Sequence, residues 1–477
     1  MLIQALPLAA PAILIIIAIA AFLGPDRRPA AVARLAELAA LVALAVAIGS
    51  ALLLGLRGAS TYQLMAPGGI GLSVRLDVVS ATMLVLVAFV GWIVLRYSAS
   101  YLDGEARQGA FLGWMAATLG AVLLLVQAGN LLHFAVAWIA TSLCLQQLLL
   151  FYADRIEAIR AGRKKFIVAR LGDTALVGAA ALLFFGYGTS DIATILAVAR
   201  EGVAPAGTPW AAGLLALAAI LKSAQFPMHG WLTEVMETPT PVSALLHAGV
   251  INGGGFLLVR FADVMLLSPG VLAVLVIVGG VSALLGGLAM LAQPAVKTSL
   301  AWSTIAQMGF MIMQCGLALF PLALLHIVAH SLYKAHAFLV SGTSVEHVAS
   351  IRRPGPIAVP RPAAVARSFA LALVIYGVIG LAFGFDGKSP QAIALGAILI
   401  FGVAYLLAQG LADAAPRELT RRTFIYATAT SLSYFALQRA VEWITAGTLP
   451  VTPPPGPLEW TLVVVAVCSF GLVALAQ

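Results

Sequence analysis

Apolar residues run in stretches of roughly 20 along this chain, the length a helix needs to cross a bilayer core. Short breaks rich in Gly, Pro, Arg and Asp separate them. The pattern predicts about fifteen spanning helices. They lie near 2–23, 33–56, 76–97, 109–128, 130–151, 166–186, 208–226, 240–262, 268–291, 296–317, 321–344, 366–385, 390–412, 421–441 and 458–477. Strand-length alternation is missing, which argues against a transmembrane β-barrel. The first run has no basic segment before it and is too long for the core of a signal peptide, so it reads as the first span.

Composition agrees. Of 477 residues, 62% are hydrophobic and 10% charged, and mean hydropathy is +1.03. A soluble domain carries about 25% charged residues. The longest polar connections, 98–108, 152–165, 187–207, 345–365 and 444–457, leave no room for a soluble domain. The last holds Pro450, Pro453, Pro454, Pro455 and Pro457 and reads as a stiff linker.

A formal charge of +8 could suggest nucleic acid, but the basic residues are scattered between spans. They collect after odd-numbered spans, for example Arg27, Arg28, Arg155, Arg163, Lys164 and Lys165, and are sparse after even ones. By the positive-inside rule the first set is cytoplasmic. With fifteen spans in a bacterial plasma membrane, the N-terminus is then outside and the C-terminus cytoplasmic. Cys144, Cys315 and Cys468 share no ligand spacing, so neither an iron–sulfur cluster nor a zinc site is expected. Gly253–Gly255 lies within a span, where small residues permit close helix packing.

The candidate chemistry lies in titratable groups at membrane depth, each costing at least about 2.5–3.5 kcal/mol to place there. Lys222 ends LLALAAILK, and Pro227 predicts a helix break just beyond it. A lysine beside such a break can hold a proton; it can also snorkel to an interface. His326, His330 and Lys334 are spaced i, i+4, i+8 and form one stripe along a helix, about 6 Å apart. Bridged by waters, they make a proton relay. His336 falls off the stripe. The HxxxH spacing can ligate zinc, but no third ligand accompanies it, and the lysine on the same stripe argues against a metal. His247, about two turns into the span that Pro239 and Pro241 open, is either a shuttle between the two lysines or a packing residue. Asp173 is three residues from Arg170, which suggests a local ion pair, or else a counter-charge for Lys222. Glu234 and Glu237 either cap the next helix or line an entrance, and Glu237 is a second candidate counter-charge. Asp77 opens the third span and reads as interfacial.

Segment 221–252, LKSAQFPMHGWLTEVMETPTPVSALLHAGVIN, resembles the signature of the antiporter-like subunits of respiratory complex I and the Mrp sodium/proton antiporters. In the same order, 76–102, 164–173 (KKFIVARLGD), 296–310 and 326–342 (HIVAHSLYKAHAFLVSG) match as well. The resemblance implies an all-α polytopic fold of two inverted five-helix units with a discontinuous helix around Lys222. It also implies a proton path through Lys222, His247, His326, His330 and Lys334. The chain then divides into N-terminal helices (1–75), a proton-conducting core (76–345) and divergent C-terminal helices (346–477).

Two departures stand out. The family's tryptophan of the fifth span precedes a glutamate that pairs with the broken-helix lysine; here Trp138 precedes Ile139. After 365 no second broken helix with a buried lysine is visible, and Asp386 with Lys388 offers a faint substitute for a second half-channel. With WIATSLCLQQLLLFY (138–152), these departures resemble the DabB family of membrane subunits of inorganic-carbon accumulation complexes. That resemblance implies an ion-conducting subunit that is not itself an enzyme and holds no cofactor. It also implies a DabA-like, carbonic-anhydrase-like partner that contains zinc and hydrates CO2, driven by proton or Na+ flow. The alternative is a proton-pumping subunit of a quinone oxidoreductase or a Na+/H+ antiporter.

Overall fold

A computed structural model describes residues 2–64, 71–152, 154–341, 362–384, 388–410 and 417–476. Each predicted span coincides with a helix or with a pair of short helices. In chain order they are α1 (Ala9–Leu23), α2 (Ala30–Arg57), α3 (Val78–Tyr101), α4 (Gln108–Val126), α5 (Leu131–Leu149), α6 (Ile156–Tyr187), α7 (Ile192–Arg200) and α8 (Thr208–Lys222). There follow α9 (Gly230–Glu234), α10 (Thr240–Ala248), α11 (Gly253–Arg260), α12 (Ala262–Leu266), α13 (Pro269–Leu291), α14 (Val296–Gly316) and α15 (Phe320–Ser341). The last four are α16 (Pro362–Phe383), α17 (Pro390–Gly410), α18 (Arg417–Thr445) and α19 (Pro457–Ala476). The protein is an all-α polytopic membrane protein. Among the described residues, 11 helical segments are long and apolar enough to cross a membrane, one of them being Thr240–Arg260, which joins α10 and α11. Of the other predicted spans, α8 and α17 offer shorter apolar stretches, while α14 and α18 are long but more polar.

A hydrocarbon solvent supplies no hydrophobic drive between helices, so close backbone approach has to hold them together. The contact of α13 with α14 shows how. A methyl group on Gly309 would lie 2.5 Å from the Ala283 nitrogen, and one on Gly279 would lie 2.5 Å from the Met313 nitrogen. The two backbones therefore touch. One continuous core joins the helices from α1 to α15, through Leu14, Leu84, Phe134 and Phe338. A separate cluster of Ala372, Tyr376, Leu407 and Phe435 holds α16, α17 and α18 together.

The spanning pattern did not predict a small antiparallel hairpin, β1 (Ser60–Gln63) with β2 (Ser73–Leu76), in the register Ser60↔Leu76 to Gln63↔Ser73. Just beyond it Asp77 caps α3, accepting from the Ser80 N–H at 2.8 Å. At this helix start Asp77 is buried within the protein: Arg260 reaches it at 2.6 Å and Arg75 at 2.6 Å. Burial alone would raise this carboxyl; the two guanidiniums and the Ser80 bond hold it well below the usual carboxylate range. Helix α3 is thus tied to the far end of α11. Nearby, Arg200 pairs with Asp263 at 2.9 Å and donates to the carbonyls of Gly447 and Thr448.

Two interrupted helices and a titratable stripe

Helix α8 stops at Lys222, as Pro227 foretells. Ala224 takes φ +50°, a left-handed conformation costly for any residue but glycine, and the chain resumes as α9. A second interruption was not foreseen. The expected continuous span 240–262 is instead α10, a 3₁₀ turn over Val250–Asn252, and α11, with Gly249 at φ −120° and ψ −80° between them. The two breaks face each other. The Ser223 hydroxyl donates to the Ile251 carbonyl at 3.0 Å. A methyl group on Gly254 would collide with Ser223 Oγ and lie 2.5 Å from the Ala219 carbonyl, so only glycine lets α11 approach the end of α8.

Lys222 lies half-buried with its Nζ 4.4 Å from the Trp138 ring centroid. It lines a cavity of about 20 Å³ with Ser142, Lys165, Trp231 and Val250. That is room for one water, which needs about 10–15 Å³. Ile139 stays beside Trp138 on α5, half-buried against the core. The carboxylate within electrostatic reach of Lys222 is Asp173, which also pairs with Arg170 at 2.6 Å. The local ion pair with Arg170 expected for Asp173 is present.

On the far side of Val250 lies a second cavity of about 20 Å³, lined by Leu245, Gly249, Asn252 and Ser331 among others. Asn252 Nδ2 donates to the Ala248 carbonyl and to Ser331 Oγ, both at 2.9 Å, while its Oδ1 is buried without a protein partner. Ser331 belongs to α15, whose stripe follows. His330 is buried with neither ring nitrogen hydrogen-bonded to protein, and its ring centroid lies 6.1 Å from that of His326. His326 Nδ1 meets Gln314 Oε1 at 2.9 Å. Lys334 is fully buried; its Nζ donates to Ser303 Oγ at 2.8 Å and to the Leu300 carbonyl at 3.3 Å. His247, also fully buried, meets Thr304 Oγ1 at 3.0 Å and stacks on Phe338 at 4.3 Å, with Nε2 unpartnered. His336 is exposed, off the stripe.

The five residues expected to carry protons thus fall into two groups. His247, His326, His330 and Lys334 share the surroundings of α14 and α15, and Lys222 sits across Val250. The polar surfaces that receive them, Ser303, Thr304 and Gln314 on α14 and Asn252 on the second break, were missed. Their sequence signal is hydrogen-bonding side chains within otherwise apolar spans, weaker than a charge. Lys165 was misplaced. Assigned to a loop, it lies within α6, buried, donating to the Ser142 carbonyl at 2.7 Å.

The remaining candidates are Glu234, Glu237, Lys388 and Asp386. Glu237 pairs with Arg155 at 2.8 Å and Glu234 with Lys164 at 2.6 Å, all about half-exposed, so these carboxylates tie α6 to the segment after the break instead of capping α10 or facing Lys222. Lys388 donates to Gln438 Oε1 at 3.1 Å and lies 4.1 Å from the Phe435 centroid, and burial pushes its ammonium below the usual lysine range. Asp386 lies outside the described residues. Among the described residues, no three His, Cys, Asp or Glu side chains converge as a metal-binding group.

Comparison with known proteins agrees with this architecture. The family model described as "NADH:quinone oxidoreductase/Mrp antiporter, TM" matches residues 128–394, and that of the complex I chain 5 N-terminus matches 65–112. A "Probable inorganic carbon transporter subunit DabB2" of Halothiobacillus neapolitanus is 39% identical over 423 residues, covering 86% of this chain and 75% of that protein. A "Probable inorganic carbon transporter subunit DabB" of Hydrogenovibrio crunogenus is 47% identical over 269 residues, covering 56% of this chain and 52% of that one. The fold is that of a chain in the Mrp complex from a Dietzia species, with TM-score 0.69 and 24% identity, covering 98% of this chain and 55% of that one. The chain belongs to the NADH:quinone oxidoreductase/Mrp antiporter transmembrane family.

Proposed function

We propose that this chain is the cation-translocating membrane subunit of an inorganic-carbon accumulation complex, and that the ion it moves is the proton. Protons pass between Lys222 and the His247, His326, His330 and Lys334 group, and their downhill movement drives CO2 hydration to bicarbonate in a zinc-containing, carbonic-anhydrase-like partner. Both relatives described above are named as inorganic carbon transporter subunits, which supports the client. The observation that carries the conducting role is the placement of His330. It is a buried imidazole with both nitrogens free of protein partners, one turn from Lys334 on a helix held against His247's own neighbours. An unsatisfied buried polar group is costly unless water or a mobile proton serves it.

Downhill transfer of one charge is worth about 2.3 kcal/mol per 100 mV, enough to bias a near-balanced hydration. In cells dependent on the complex, Lys222→Ala should abolish bicarbonate accumulation while the partner still co-purifies. Normal accumulation in that strain refutes the proposal. A second reading, a proton-pumping subunit of a quinone oxidoreductase or a Na+/H+ antiporter, draws on the family match itself. The co-purifying protein separates the two: a large zinc protein supports the first, and redox or antiporter subunits the second.

A further inference from the structure

Lys165 is a buried lysine that the route above does not use. It occupies α6, where Arg163 and Lys164 beside it stay at the surface. Its Nζ donates to the Ser142 carbonyl at 2.7 Å and approaches Ser142 Oγ at 3.3 Å. It lines the same water-sized cavity as Lys222, and the charges of the two lysines act on each other. The other charged groups acting there are Arg170 and Asp173, both also on α6. Three cations therefore share one carboxylate.

A structural role explains this poorly. The α5–α6 contact already has a neutral tie one turn away, where Gln146 Nε2 donates to the Gly162 carbonyl at 3.0 Å. Adding a buried cation beside two others, to hold one more backbone oxygen, costs desolvation and repulsion that a methionine in its place would avoid. An ammonium group there becomes useful if it gives its proton away.

We propose that Lys165 is a proton carrier, exchanging protons with Lys222 through the water-sized cavity that both line. The step is a transfer between like groups. An N–H bond of the Lys165 ammonium breaks, the cavity water passes the proton on, and an N–H bond forms on the Lys222 amine. No electrons move, and the cavity's total charge is unchanged. The lysine pair thus does what a lysine–carboxylate pair would do if residue 139 were acidic. Lys165 lies at the end of α6 where the Lys164–Glu234 and Arg155–Glu237 ion pairs reach the surface, so it is the outer member of the pair. The inference rests on the conducting role proposed for Lys222.

The test uses the full chain with its co-purified partner in proteoliposomes holding an entrapped pH-sensitive dye, with an imposed membrane potential. Three variants differ in titratability. Lys165→Arg keeps the charge and can donate to Ser142 but does not release a proton. Lys165→Met keeps the bulk alone, and Lys165→His restores a group able to gain and lose a proton. The Arg and Met variants should lose at least about tenfold in proton flux, within what a positioned proton-transfer group contributes. The His variant should stay within about threefold of the parent. Detergent-phase melting and partner co-purification confirm folding for each; if Lys165→Met fails to fold, the Arg and His pair decides. Flux at the parental rate in Lys165→Arg, with Lys222→Ala silent, overturns the inference and leaves the Lys222 route standing. Parental flux in Lys222→Ala overturns that route, and the lysine relay with it.

Discussion

The ammonium group of Lys222 rests 4.4 Å from the centroid of the Trp138 ring, so an aromatic face meets the lysine at the helix break. A ring face in a desolvated site attracts a cation by up to about 2 kcal/mol. Trp138 itself is fully buried. Trp138→Phe retains a face and should keep proton flux within about threefold, whereas Trp138→Leu removes it and should lower flux about tenfold or more. Equal flux in the two variants would show that the ring only fills space.

Asp173, the carboxylate near the lysine cavity, acts on three cations, Arg170, Lys165 and Lys222. Asp173→Asn leaves Arg170 without its 2.6 Å partner and strips the negative charge that acts on Lys222. The expected cost in stability is about 1–3 kcal/mol, that of an unsatisfied charged partner. Flux per folded molecule should fall as well. A stability loss with unchanged flux would confine Asp173 to its ion pair.

Adjacent glycines should respond in opposite ways. A methyl group on Gly254 would meet the Ala219 carbonyl at 2.5 Å and collide with Ser223 Oγ, while one on Gly253 would meet Lys222 Cε at 3.4 Å, Lys222 Cγ at 3.6 Å and Trp138 Cζ3 at 3.7 Å, all ordinary contacts. Gly254→Ala should destabilise by about 1–3 kcal/mol through overpacking and impair conduction. Gly253→Ala should be close to neutral in melting temperature. Melting of the purified complex checks both.

The Asp77–Arg260 pair lies away from the titratable groups and should behave as a staple. A carboxyl held below its ordinary value of 3.8 adds stability that is fully present above that value and lost as the pH falls through the lower, folded one. Its contribution should therefore be constant between about pH 5 and pH 8. Asp77→Asn leaves a buried guanidinium unpaired and should cost about 3–5 kcal/mol across that whole window, without a specific effect on flux per folded molecule. Thermal melts at several pH values would reveal any dependence.

Val250 lines both water-sized cavities, one holding Lys222 and the other Asn252 and Ser331. Val250→Ala removes about two methyl groups and should join the two spaces, raising proton leak in the absence of partner turnover. Val250→Phe should lower flux below the parent. Identical dye responses in all three proteins would place the route elsewhere.

Much of this was legible in the sequence because a membrane leaves few options. Backbone groups in hydrocarbon must be bonded internally, so twenty apolar residues mean a helix, and the predicted spans coincide with helices. Lys222 at the break and the His326–His330–Lys334 stripe were visible for the same reason, since a titratable group at that depth is conspicuous. Less conspicuous features escaped. Gly249 sits in an apolar run that reads as one helix, and the interruption depends on packing against α8 and α15, which periodicity does not contain. Lys165 looked like one more basic residue after an odd span, because its neighbours Arg163 and Lys164 do face outward. The hairpin at Ser60–Gln63 and Ser73–Leu76 is short and leans on Ala128, through a bridge to Val74 that a linear reading does not supply.

The hydroxyl of Ser223 fastens one discontinuity to the carbonyl of Ile251 in the other. The chain around Phe226 and Met228, which is exposed, and the turn beside His247 thus meet at one neutral hydrogen bond. Severing it, as Ser223→Ala would, leaves the Ile251 carbonyl without that donor and the two interruptions without their direct link.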